Sequence, residues 1–223
     1  MIDDGLLAYL EGLITDKRKA TFDNVLSKRT RHFTVVLEDI YQPHNASAVV
    51  RSCDIFGVQD VYAIENRFTN KVSRHVAKGS QKWLNINRYK EDGDNTKACL
   101  EDLRAKGYQI IGTTPHTDSV LADFDVTKKS AFVFGAEKDG ISDYIKQEAD
   151  GFLKIPMVGF TESLNISVAA AITLNDVTSR LRKTDVNWQL SDEEKKELYF
   201  EWIKNTIKNP DKLVEYYYKD LNK

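Results

Sequence analysis

Between residues 33 and 183, short apolar runs alternate with longer stretches of helical periodicity, and this alternation constrains the fold more than any other feature of the chain. Phe33-Thr-Val-Val-Leu-Glu38 and Asp60-Val-Tyr-Ala-Ile64 are rich in β-branched and aromatic side chains and read as buried strands. Tyr108-Gln-Ile-Ile-Gly112, Ala131-Phe-Val-Phe-Gly135 and Phe152 to Ile155 read the same way, and Trp83 to Ile86 can form a further strand. Asn45 to Phe56 is helical in period, with Ala46, Val49, Cys53 and Phe56 on one face. Thr96 to Lys106 is a helix stopped by Gly107, Ser142 caps a short helix running to Ala149, and Asn165 to Arg182 forms a long one. Strands alternating with helices predict an α/β domain over residues 33–183, a mostly parallel sheet with helices on both faces.

Helical extensions flank that domain. Residues 1–32 hold an amphipathic helix marked by Leu6, Leu7, Leu10, Leu13 and Ile14, then a basic helix near Lys17 to Ser27. Residues 184–223 contain a helix opened by Ser191-Asp-Glu-Glu, whose acidic first turn suits the helix dipole. Trp188, Tyr199, Phe200, Trp202 and Tyr216 to Tyr218 make this tail so aromatic that it must pack on something. Met1 to Leu13 lacks the basic start and unbroken apolar run of a signal peptide. No window approaches the roughly 18 apolar residues of a membrane helix. Cys53 and Cys99 stand in no metal spacing. The expectation is a reduced, cytoplasmic protein with no membrane segment and no metal.

The formal net charge is −2, which by itself argues against a nucleic-acid binder, but the distribution argues for one. Asp16 to His32 carries six basic residues (Lys17, Arg18, Lys19, Lys28, Arg29, Arg31) against two acidic ones. Arg67 to Lys90 carries seven basic residues, Arg74 and Lys82 among them, and no acidic one. Segments that basic repel themselves unless they face an anion, so an RNA-facing surface is expected.

Three stretches could carry chemistry, each at the carboxyl end of an expected strand, where open α/β sheets bind ligands. Pro43-His-Asn-Ala-Ser-Ala-Val-Val-Arg51 joins a strand to a helix; Asn45 is placed to cap that helix, and Arg51 near its start can bind a phosphate. Phe134-Gly-Ala-Glu-Lys-Asp-Gly-Ile-Ser142 spaces Gly135 and Gly140 like a phosphate loop, but Ile141 stands where that motif needs Lys, which argues against a nucleoside-triphosphate site. In Ile155-Pro-Met through Ser163-Leu-Asn-Ile-Ser-Val-Ala169, a strand ends at a Pro and a loop leads into a helix of small residues, with Ser163 and Asn165 cap-like. Each stretch taken alone also fits an ordinary strand-to-helix turn.

In order and spacing, the three stretches resemble the signature motifs of the SPOUT superfamily, in its branch of SpoU/TrmH-type RNA ribose 2′-O-methyltransferases. The first motif is Asn45 to Arg51, the second Phe134 to Gly140, the third Ile155 to Ala169. The resemblance runs over roughly Arg18 to Arg182, and Gly79-Ser-Gln-Lys-Trp83 is similar to a stretch of the tRNA guanosine-18 branch.

The resemblance implies a sheet with a C-terminal trefoil knot whose loops bind S-adenosylmethionine, here through Thr113, Gly135, Ile155 and Leu164. It implies Arg51 as the central catalytic residue, helping to remove the 2′-hydroxyl proton or stabilising the developing alkoxide, with Asn45, Glu137, Ser163 and Asn165 shaping its surroundings. It also implies a homodimer, with the helix after Asn165 as a candidate contact. The expected substrate is tRNA, at guanosine 18 of the D-loop, bound by Arg18, Lys19, Lys28, Arg29, Arg74, Lys82, Arg180 and Arg182. Ribosomal RNA and the tRNA wobble nucleotide are alternatives within the enzyme reading. A non-catalytic RNA-binding protein of the same fold is the alternative outside it, which the retention of Arg51 and the third motif disfavours.

Overall fold

The computed structural model describes residues 2–68 and 77–221. In chain order its elements are α1 (Asp4–Glu11), α2 (Asp16–Leu26), β1 (Phe33–Glu38), α3 (Pro43–Phe56), β2 (Asp60–Ile64) and β3 (Asn85–Tyr89). There follow α4 (Asn95–Ala105), β4 (Gln109–Thr113), β5 (Ser130–Phe134), α5 (Asp143–Glu148), β6 (Gly151–Leu153), α6 (Ile166–Leu181), α7 (Asp192–Thr206) and α8 (Pro210–Leu221). The strands form one sheet in the order β3-β2-β1-β5-β4-β6, and every pairing is parallel.

A parallel sheet covered on both faces needs strands that are apolar throughout, and β1 and β5 are buried at every position. Successive side chains then serve opposite layers. Val35, Leu37, Phe132 and Phe134 join Val49, Cys53, Leu174 and Val177 in the layer of α3 and α6. Val36, Ala131 and Val133 join Leu100, Leu103, Ile110 and Ile145 in the layer of α4 and α5. The helix expected to stop at Gly107 does so, with Gly107 at φ 81° in the left-handed region that glycine enters without penalty.

Two expectations shift. The helix of the first motif starts at Pro43, not at Asn45. Proline's fixed φ suits the first helical turn, so Asn45 lies inside that turn and is no cap. The third strand lies later, at Asn85–Tyr89, because a 3-10 turn at Ser80–Lys82 occupies the preceding stretch. Ser142, Asn165 and Ser191 do cap their helices, and Ser191 forms a reciprocal capping box with Glu194.

The described chain divides into two compact units, Thr30–Trp188 and a second made of Met1–Arg29 with Gln189–Lys223. The terminal extensions, read from sequence as separate, therefore share one interior. The aromatic tail packs there: Phe22 meets Trp202 and Tyr199 edge-on at centroid distances of 5.4 and 5.9 Å, and Tyr9 lies 5.4 Å from Tyr217.

In the sheet unit, His32 Nε2 lies 2.9 Å from the Val126 carbonyl, so that nitrogen carries the proton and donates. Partial burial, assisted by the charge of Lys129, lowers the His32 pKa despite that bond. A His whose folded pKa is depressed binds protons more readily when unfolded, so it contributes stability above the ordinary imidazole value of about 6.5 that is lost as pH falls through the folded value. We expect the His32 ring resonances to titrate below pH 6.5 by NMR. A His32→Gln variant should show a flatter decline of melting temperature on acidification over that range.

Candidate functional site

The carboxyl ends of β4, β5 and β6 surround a cavity of about 350 Å³, within the range of small-molecule pockets. Each wall comes from a loop that follows a strand. Thr113 ends β4 and is pinned by its hydroxyl bond to Val133 O at 2.8 Å. Gly135 to Gly140 follow β5 and fold back on themselves, with Gly140 N–H donating to Ala136 O at 2.8 Å. Lys154 to Asn165 follow β6, and Ile155, Ser163, Leu164 and Asn165 reach the cavity. All four residues expected to bind cofactor, Thr113, Gly135, Ile155 and Leu164, thus line one space.

The three sequence motifs meet through side chains. Asn45 Nδ2 donates to Glu137 Oε1 at 2.7 Å, and Asn165 Nδ2 donates to Asn45 Oδ1 at 3.1 Å. Asn165 Oδ1 in turn accepts from the Ser167 amide at 2.9 Å, which is its helix-cap bond. Asn45 is buried, and its amide is satisfied by one acceptor and one donor from the other two motifs. Ser163 lines the cavity and caps nothing.

Arg51 lies on α3, exposed, and has no hydrogen-bond or ion-pair partner among the described residues. It is not among the residues lining the cavity. A guanidinium is a permanent cation with five donors in a planar fork, so an unengaged one on the surface is equipped for a phosphate or a developing oxyanion.

The other basic residues divide sharply. Arg18, Lys28, Lys82 and Arg182 are exposed. Lys19 is half-buried and pairs with Asp16 at 3.4 Å. Arg182 rests over Trp188 and donates to the Phe56 carbonyl at 2.7 Å. Arg29 is 1% exposed and stacks on Trp202, so a phosphate has no access to it here. Arg180 is spent internally: Nε and Nη2 bind Asp176 at 2.8 and 2.6 Å, and Nη1 and Nη2 bind the carbonyls of Phe124 and Leu121 at 2.6 and 2.8 Å. These two arginines, expected at the RNA, hold the fold instead. Arg18, Lys19, Lys28 and Arg29 lie in the helical unit, and Lys82, Arg180 and Arg182 in the sheet unit. Arg74 lies outside the described residues.

Sequence reasoning missed the residues that anchor the second loop. Glu38, buried at the end of β1, accepts from the Ser142 amide at 2.8 Å, the Ser142 hydroxyl at 2.7 Å and the Thr96 hydroxyl at 3.3 Å. Asp39, at φ 51°, accepts from the Arg67 amide at 2.8 Å and Nε at 3.2 Å, while Arg67 Nη1 reaches Asp139 at 3.0 Å. An acidic residue closing an otherwise apolar strand was the available signal. The stretch from Gly79 to Trp83 is tied to α3, with the Ser80 hydroxyl donating to Asp54 at 2.8 Å. Among the described residues no cluster could hold a metal, and no helix is long and apolar enough to cross a membrane.

Gly135 has a role that its sequence reading did not contain. A Cβ there would lie 2.1 Å from Gly140 C and O and 2.3 Å from Ile141 N, so it would strike the loop's own backbone before any ligand. We expect Gly135→Ala to displace this wall, lower stability by about 1–3 kcal/mol and weaken cofactor binding at least tenfold. Thermal melts with calorimetric titration of S-adenosylmethionine test this, and unchanged affinity in a folded variant would remove Gly135 from the pocket wall.

Comparison with known proteins agrees with this geometry. Residues 32–175 match the model of the SpoU rRNA Methylase family. The tRNA (guanosine(18)-2'-O)-methyltransferase of Borreliella burgdorferi is 39% identical over 212 residues, covering 94% of this chain and 95% of that protein. The Thermus thermophilus enzyme of the same name is 35% identical over 161 residues, covering 72% of this chain and 81% of its own length. Among solved structures, the Aquifex aeolicus TrmH/SpoU tRNA modifying enzyme superposes with a TM-score of 0.75 at 31% identity, covering 87% of this chain and 98% of that one. The SpoU methyltransferase AviRb from Streptomyces viridochromogenes, solved with the cofactor AdoMet, superposes with a TM-score of 0.60 at 25% identity, covering 70% of this chain and 60% of that one. The cavity at the strand ends, the linked asparagines and the matched motifs converge, and the chain belongs to the SpoU methylase family.

Proposed function

We propose that this protein transfers a methyl group from S-adenosylmethionine to the ribose 2′-hydroxyl of guanosine 18 in the D-loop of tRNA. The observation that carries this reading is the span of the guanosine-18 relative over 94% of this chain, which reaches into both terminal extensions beyond the sheet unit. Ribosomal RNA, the substrate class in the family model's description, is the reading it displaces. Work on tRNA suits a cytoplasmic protein.

The site suits the cofactor. Its walls combine apolar side chains with loop backbone, and one lining hydroxyl, that of Thr173, is buried with no partner. When bound, S-adenosylmethionine supplies a methyl carbon on a positively charged sulfur. Transfer would form a bond from the 2′-oxygen to that carbon as the carbon–sulfur bond breaks, leaving the neutral thioether S-adenosylhomocysteine, with the hydroxyl proton passing to solvent water. Arg51 is the residue free to meet the charge gathering on that oxygen and to hold the neighbouring RNA phosphate. A permanent cation does not serve as a proton acceptor, so electrostatic stabilisation is its role. Asn45, Glu137 and Asn165 keep the first motif in register with the two loops, and we further infer that those loops form the family's trefoil knot.

A homodimer is the assembly we infer. Val168 and Ile172 lie four residues apart on one exposed face of α6, and in the preceding loop Leu164 is exposed and Val158 and Phe160 wholly so. An apolar surface of that kind is expected to meet a partner, and a second copy buries the same stripe against itself.

Arg51→Ala is expected to reduce transfer by about 10²-fold or more while leaving S-adenosylmethionine affinity unchanged. Mass-spectrometric mapping of unmodified tRNA after incubation with labelled cofactor places the methyl. A methyl at the wobble nucleotide, or only on ribosomal RNA, overturns the substrate, and transfer to no RNA overturns the activity. Val168→Glu with Ile172→Glu should convert a dimer to a monomer in sedimentation. A monomeric wild-type chain would refute the assembly.

A further inference from the structure

Thr173 is fully buried on α6 and lines the cavity, yet its hydroxyl has no hydrogen-bond partner. A threonine inside a helix ordinarily donates to the carbonyl four residues back. Thr178, on the same helix, does so, reaching Leu174 O at 2.7 Å. Thr173 makes no such bond. A buried hydroxyl left unsatisfied is costly, and its retention at a cavity wall points to a partner that arrives from the cavity.

The wall around it narrows what that partner can be. Ile166, Ala169 and Thr173 are spaced by three and four residues, so α6 presents them to the cavity as one stripe. That stripe is apolar apart from the single hydroxyl. The charged side chains at the cavity, Glu137 and Lys154, come from the other loops. An apolar surface with one neutral donor-acceptor suits a flat, uncharged heteroaromatic ring with nitrogen atoms at its edge. It does not suit an ammonium or a sulfonium, which need negative charge or several acceptors, or a carboxylate, which needs positive charge or several donors.

Resting on the cofactor reading above, we propose that the Thr173 hydroxyl is a binding contact for the adenine ring of S-adenosylmethionine. The hydroxyl gains its hydrogen bond only when the ring is present. Removing it therefore lowers affinity without lowering intrinsic stability, whereas removing a structural hydroxyl would lower stability.

The test uses the full chain and its near-isosteric variant Thr173→Val. Calorimetric titration with S-adenosylmethionine should show binding weakened about 5- to 10-fold. The melting temperature of the ligand-free variant should equal or exceed that of wild type. Thr173→Ser, which keeps the hydroxyl, should bind close to wild type. 5′-Methylthioadenosine, which keeps the nucleoside and lacks the amino-acid end, should lose affinity by the same factor on Thr173→Val. Unchanged affinity in the folded Val variant overturns the contact, as does a lowered melting temperature without ligand. A loss seen with S-adenosylmethionine but not with 5′-methylthioadenosine overturns the assignment to adenine. If wild type binds neither ligand, the cofactor reading itself fails and the inference falls with it.

Discussion

The pairing of β1 with β5 is the constraint on which the rest depends. These strands lie at the centre of the sheet, in register from Phe33 opposite Ser130 to Leu37 opposite Phe134. The chain leaves β1 toward β2 on one side and leaves β5 toward β6 on the other. Such a switch of direction opens a crevice at the carboxyl ends of the strands, because the two following segments diverge. Asn45 follows one strand and Glu137 the other, and their 2.7 Å hydrogen bond spans that crevice. A slip of one residue in this register would reverse every side chain of a strand and separate the motifs.

Around that crevice the molecule holds its loops with buried or clamped polar groups. Glu38 gathers both polar groups of Ser142 at the far end of the second loop, and Asp39 with Arg67 and Asp139 fastens its outer side. The near end is closed by Gly135, where only a hydrogen in place of Cβ allows Gly140 to approach. A loop fixed at both ends presents its backbone to the cavity without reorganising when a ligand arrives. Pre-organisation of that kind reduces the entropy lost on binding.

Arginine shows how residue type alone underdetermines duty. Arg29 is sealed beside Trp202, Arg180 distributes its donors among Asp176 and two carbonyls, and Arg51 stands exposed without a partner. All three are residues expected at an anion, Arg29 from the basic stretch Asp16 to His32 and Arg51 and Arg180 as site residues of the expected enzyme. Only the folded structure separates a cation that is buried or already bonded from one whose donors remain exposed.

Local patterns in the sequence determined much of this protein. Apolar period, Gly107 and the caps at Ser142, Asn165 and Ser191 act over a few residues, so the strands, most helix limits and the parallel α/β class were legible without coordinates. The order and spacing of the three motifs likewise marked the family and the loops that would line the site. Distances across the sheet were not legible, because they arise from segments far apart in the chain. Asn45 and Glu137 are 92 residues apart, and Asn165 and Asn45 are 120 apart. The union of the two extensions in one unit, the burial of Arg29, the internal hydrogen bonds of Arg180, the collision that forbids a Cβ at Gly135 and the partnerless hydroxyl of Thr173 were decided by tertiary structure alone. Each depends on which atoms the fold brings within a hydrogen bond or a van der Waals contact, and no local pattern of residue types encodes that proximity.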